Sequence, residues 1–169
     1  MLKILIPVDG SSNSLHAVRH AINEFRKNSA LEIILLNVQA PFSQNIGRFV
    51  SRKDCDDFHR DQAEQALLSG SRMLDRLRVP YETHIALGSK ASVIADMARR
   101  FRCERIVMST TRKSSLIRMV EDSTINQVIE LTSVPVEIIA GDEASRVKRY
   151  GVPAGVGTVL ASLFFAAAN

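Results

Sequence analysis

Short apolar runs that close on polar turns, each followed by a stretch with helical spacing, recur up to residue 140 and constrain the fold most. Leu2–Asp9 is a continuous apolar run ending in a polar turn, the pattern of a strand buried on both faces. From Ser12 to about Lys27, Leu15, Val18, Ala21, Ile22 and Phe25 recur at three- and four-residue spacing, which predicts an amphipathic helix capped by Ser11 or Ser12. Leu31–Val38 is a second buried strand, and a polar loop of roughly fifteen residues follows it. A long helix is predicted from Asp54 to about Arg78, with Phe58, Ala66, Leu67, Met73, Leu74 and Leu77 on its apolar side and Pro80 beyond its end. Tyr81–Leu87 reads as strand three, Ala91–Phe101 as a helix after a Gly88-Ser89 turn, and Glu104–Ser109 as strand four. Ser123 to about Leu131 reads as a helix and Val134–Ala140 as strand five.

Strict strand–helix alternation predicts an α/β fold, an open five-stranded parallel sheet with helices on both faces, spanning residues 1–141. Residues 142–169 form a C-terminal extension, basic and then apolar. In open parallel sheets ligands sit beyond the carboxyl ends of the strands. Three segments converge there: the turn after strand one (Asp9–Ser12), the end of strand two (Val38–Pro41) and the loop after strand four.

Composition narrows the functional classes. A chain of 169 residues with 46% hydrophobic and 24% charged residues can bury one real core. The net charge of +4 comes from interspersed acids and bases, without the clustered basic stripe of a nucleic-acid binder, so no nucleic-acid partner is expected. LKILIPV reads as a strand rather than a secretory signal, and no segment supplies the ~20 consecutive apolar residues of a membrane span. Cys55 and Cys103 match no metal or redox spacing, so two reduced thiols and a cytoplasmic location are expected. There is no Gly-x-Ser-x-Gly elbow, Walker loop or HIGH-like signature, and no enzyme activity is expected. His16 and His20 share a helix face without a third ligand nearby in sequence, and His59 and His84 stand singly. Asp54, Asp56, Asp57 and Asp61 gather at a helix start, where the macrodipole favours acids, and no metal site is expected.

ILIPVDGS, GSKASVIADMARR, RIVMSTTRKSSL and SVPVEII, in this order and spacing, make residues 2–140 resemble the universal stress protein family. The resemblance implies a Rossmann-like sheet of order 3-2-1-4-5, similar to the adenine-nucleotide alpha hydrolases. It also implies a homodimer, commonly paired through strand five, here Val134, Val136 and Ile138. A bare apolar edge strand invites such pairing, although Pro135 is expected to remove one donor from that edge.

ATP-binding members of that family carry Gly-x2-Gly-x9-Gly-Ser/Thr after strand four. Here the three glycine positions hold Ser109, Arg112 and Asp122, and only the final hydroxyl, Ser123, is kept. A phosphate cradle needs backbone N–H groups turned inward with no Cβ in the way. Asp122, beside Glu121, places a carboxylate on the helix-start amides that a phosphate would use. An anion about 4–5 Å from a triphosphate charge opposes binding by about 3–4 kcal/mol at an effective dielectric near 20, roughly a several-hundred-fold loss of affinity. Arg112, Lys113 and Arg118, with Thr111, Ser114 and Ser115, are the side chains that could compensate.

The resemblance therefore implies the branch similar to universal stress protein A: a dimer in the stress response, without catalysis or a resident cofactor. The alternative is a nucleotide-responsive switch, with ATP or AMP held by Asp9, Val38, Arg112, Lys113 and Ser123. In the tail, Val156–Ala168 has little polar face to offer a lipid surface, so packing on the dimer or on a protein partner is expected over membrane contact.

Overall fold

The computed structural model describes residues 2–42, 51–112 and 123–143. They form β1 (Leu2–Pro7), α1 (Ser14–Phe25), β2 (Leu31–Gln39), α2 (Arg52–Arg76), β3 (Tyr81–Leu87), α3 (Lys90–Arg100), β4 (Arg105–Arg112), α4 (Ser123–Leu131) and β5 (Val136–Glu143). The five strands pair in parallel in the order β3-β2-β1-β4-β5, as the apolar runs and the resemblance imply. Leu2 pairs with Leu31, Ile33 with Tyr81, Ile4 with Arg105 and Ile106 with Val136.

The period-two geometry of the strands splits the core into two layers. Ile4, Ile6, Ile33 and Leu35 point to one face, where Val18 and Ile22 of α1 and Leu67 and Leu74 of α2 cover them. Leu5, Ile34, Leu36 and Ile106 point to the other, against Ile94 and Ala98 of α3 and Ile125 and Val128 of α4. Cys103 belongs to the second layer, and its burial pushes the thiol pKa up to about 11 against a smaller downward pull from Lys3. No helix of the described residues is long and apolar enough to cross a membrane.

Several boundaries shift from the sequence expectation, each for a local reason. Helix α2 begins at Arg52 rather than Asp54, because Ser51 Oγ accepts from the Asp54 N–H (3.2 Å) and donates to its carboxylate (2.7 Å). Phe58 and Leu77, assigned to the buried side of α2, are exposed. Phe58 instead joins Phe42 and His59 in an aromatic group, where His59 is buried with its ring centre 4.5 Å from that of Phe42. His84, expected to stand alone, stacks on Phe101 at 4.4 Å. Strand β5 begins at Val136, so Val134 is not part of the strand expected to contain it. Val134 caps a turn through its N–H to Thr132 Oγ1 (3.1 Å) and packs against the second layer, as Val136 does. Pro135 directs its carbonyl to the Ile106 N–H (2.9 Å), so its backbone faces β4 and takes no donor from the open edge. Ile138 stays exposed on that edge strand.

Candidate functional site

Strand β1 releases the chain into a tight turn. Asp9 Oδ1 accepts from both the backbone N–H (3.0 Å) and the hydroxyl (2.6 Å) of Ser11, with Gly10 between them at φ +81°. Ser11 Oγ then accepts from the Ser14 N–H (3.2 Å), but the N-cap of α1 is Asn13 rather than Ser11 or Ser12, and the helix opens at Ser14. Partial burial pushes the Asp9 carboxyl pKa up, but the two bonds from Ser11, aided by the Ser14 hydroxyl, outweigh it and hold the pKa below the ordinary 3.8.

A carboxyl depressed in the native state stabilises the fold above its unfolded pKa, and that contribution is lost as pH falls through the lower native value. Asp9→Asn should therefore flatten the loss of melting temperature between about pH 5 and pH 3. Superimposable acid profiles for variant and wild type would show that Ser11 does not hold the carboxylate.

Strand β2 ends in a buried amide relay. Asn37 donates to the Val8 carbonyl (2.7 Å) and accepts from Gln39 Nε2 (2.7 Å), which fixes the ends of β1 and β2 together. At the end of β4, Ser109 and Asn13 are tied reciprocally. Ser109 Oγ donates to the Asn13 carbonyl (2.5 Å), and Asn13 Nδ2 donates to the Ser109 carbonyl (3.0 Å). Gly141 of β5 completes this corner: a Cβ there would lie 2.5 Å from Asn13 Oδ1 and 3.0 Å from the Thr110 carbonyl. With Gly141 in place, β4 continues past Ser109, pairing Thr110 with Ala140 and Arg112 with Glu143 across a bulge. The end of β4 is thus strand at the position where the resemblance places the phosphate loop of ATP-binding members.

These strand ends and α3 enclose a crevice of about 200 Å³ with apolar walls at Leu36, Val38, Ile94, Met108 and Ile125. Asp9, Ser11, Asn13, Ser109, Lys90 and Thr124 make its polar lining. A wider cavity of about 530 Å³ adjoins it through Asp9, Val38 and Lys90 and reaches Gln39, Gln62 and Gln65 toward α2. Apolar walls with a polar rim suit a planar heterocycle with a polar substituent. Among the described lining residues no histidine stands ready to take a proton from Ser11, whose bond to Asp9 closes a turn rather than activating a nucleophile.

Of the residues expected to line the site, Asp9 and Val38 are brought together. Arg112 ends β4 and Ser123 opens α4, but their side chains lie outside the described residues, as do Lys113, Arg118 and Asp122. Sequence reasoning missed Asn13 and Lys90. Lys90 is the one cation among the described lining residues. Its position directly after the Gly88-Ser89 turn, at the carboxyl end of β3, was the available signal.

The sequence profile of the universal stress protein family matches residues 1–140. A universal stress protein of Methanocaldococcus jannaschii is 29% identical over 143 residues, covering 81% of each chain. Among solved structures, a universal stress protein family member from Arabidopsis thaliana with AMP bound superposes with a TM-score of 0.61 at 18% identity, covering 84% of this chain and 93% of its own. A universal stress protein in complex with cAMP gives 0.61 at 18% identity, covering 82% and 96%.

Proposed function

The chain belongs to the universal stress protein family, and from that premise we propose that it acts without catalysis in the cellular stress response, as a homodimer that does not hold ATP tightly. The observation that carries this reading is the Ser109–Asn13 clamp. Where the resemblance places the first phosphate-loop glycine, a side chain is committed to α1 and the backbone runs on as strand to Arg112. Backbone amides bound in a sheet are not free to surround a phosphate. Strand β5 lies at the sheet edge with Ile138 exposed, which supports pairing of two copies there.

A second reading, a switch responsive to AMP or a similar mononucleotide, is favoured by the walls of the crevice and by the nucleotides in the Arabidopsis and cAMP-bound relatives. A base would lie against Val38 and Met108 near Asp9, with Lys90 toward the phosphate; the side chains of Arg112, Lys113 and Ser123 lie outside the described residues.

Titration calorimetry with ATP and AMP separates the two. The expected result is no tight ATP binding by the wild type, and none by Arg112→Gly/Asp122→Gly either, because that variant keeps the Ser109–Asn13 clamp. Micromolar ATP binding by the wild type would sink the preferred reading. For the dimer, sedimentation should show two chains associating, and Ile138→Arg should release monomers; a monomeric wild type would remove that part.

A further inference from the structure

On the α1 side of the sheet, away from the crevice, four charged or ionisable side chains converge from three elements. His20 and Glu24 lie one turn apart on α1, Arg105 stands at the start of β4, and Glu137 is on β5. Arg105 takes the same-named oxygen of each glutamate: it pairs with Glu24 Oε2, and its Nε lies 3.0 Å from Glu137 Oε2. The other two oxygens turn toward one imidazole nitrogen. His20 Nε2 is 3.0 Å from Glu137 Oε1 and 3.6 Å from Glu24 Oε1. One donor atom from each of the three residues lies within 4.8 Å of the others.

We propose that His20, Glu24 and Glu137 form a binding site for a divalent first-row transition ion of the zinc class. Ligand arms of about 2.0–2.1 Å meeting at the tetrahedral angle place neighbouring donors about 3.3–3.4 Å apart, and the two measured separations bracket that value. His20 Nε2 is itself shut off from solvent yet makes no hydrogen bond, although a carboxylate oxygen is 3.0 Å away. Donors that face a common centre, rather than each other, have this geometry. One imidazole and two carboxylates are a donor set zinc accepts, with a fourth position left for water. Arg105 acts from outside the ligand shell: it hydrogen-bonds the outer oxygen of Glu24 and is ion-paired with that of Glu137, its Nε making no hydrogen bond. Two glutamates and one arginine leave a single negative charge, which favours a cation. The competing occupant is a proton on His20, bridging the two glutamates.

The test is a titration of the full-length chain, first treated with chelator, with Co²⁺ at pH 8, where an ordinary imidazole is neutral. The expected result is stoichiometric Co²⁺ binding with the visible absorption of a four-coordinate ion, displaced by Zn²⁺. His20→Ala and Glu137→Gln should each weaken binding by more than the roughly 10–100-fold that loss of an outer partner costs. Arg105→Lys should fall within that range, and His59→Ala should change nothing. Far-ultraviolet dichroism verifies folding, with Glu24→Gln replacing any variant that fails to fold. No stoichiometric Co²⁺ binding, or binding indifferent to His20→Ala, would overturn the site and leave a proton-bridged ion-pair network.

Discussion

Alanine at position 10 and alanine at position 70 should move the melting temperature in opposite directions. Gly10 sits at φ +81°, and a Cβ there would come within 3.1 Å of the Ala66 backbone Cα on α2. A left-handed conformation costs a non-glycine residue about 1–2 kcal/mol, and crowding a packed helix adds about 1–3 kcal/mol. Gly10→Ala should therefore destabilise by about 2–5 kcal/mol, and at roughly 2–4 °C per kcal/mol for this chain length the melt should fall by roughly 4–20 °C. Gly70, buried within α2, differs on both counts. Its added Cβ would meet Leu35 Cδ1 at 3.5 Å and Val18 Cγ2 at 3.6 Å, which is ordinary contact. Gly70→Ala should thus gain about 0.5–1 kcal/mol from reduced backbone freedom in the unfolded chain. Calorimetric melts of both variants decide it. No drop in Gly10→Ala would mean that the turn after β1 does not rest on α2 as described, and a drop in Gly70→Ala would mean that Leu35 and Val18 leave no room for a methyl group.

Truncating Leu36 should destabilise strongly, but less than truncating its neighbour Leu35. Both are essentially inaccessible to solvent, at 1% and 0% exposure, yet they face opposite layers. Leu35 is enclosed between α1 and α2, so Leu35→Ala leaves a closed void and should cost about 3–5 kcal/mol. Leu36 forms part of the crevice wall, so the space vacated by Leu36→Ala joins a cavity that water can enter. About 2–3 kcal/mol is expected there, the lower part of the range for such truncations. Chemical denaturation with a shared slope gives the difference directly. A Leu36→Ala cost equal to or above that of Leu35→Ala would show that the crevice is closed to solvent.

Strands β1 and β2 were legible because burial on both faces leaves a continuous apolar signature, and the exposed β3 from its alternation. Leu2–Pro7 and Leu31–Gln39 needed no tertiary information, and Tyr81–Leu87 matched its predicted limits. Legibility failed where a strand end is polar. Thr110 to Arg112 reads as a loop because hydropathy does not register a ladder formed by backbone groups at the rim of a sheet. What holds that segment is Gly141, some thirty residues away, which lets β5 approach Asn13 and the Thr110 carbonyl. The periodicity of α2 misplaced Phe58, since a ring packed on Phe42 and a buried histidine satisfies itself outside the main core. At the site, Asp9 and Val38 follow from strand ends, a feature of topology. Asn13 owes its role to a partner 96 residues away, which no local pattern encodes. For the same reason Glu137 was not recognisable as the neighbour of His20, because only the sheet order brings β5 beside α1.

The proposed lack of tight ATP binding rests on the strand-like end of β4, clamped through Ser109 to Asn13. Its most direct test is the nucleotide released when freshly purified protein is denatured in acid and the supernatant is resolved by ion-exchange chromatography. The predicted result is ATP far below one equivalent per chain. Near-stoichiometric ATP would contradict it.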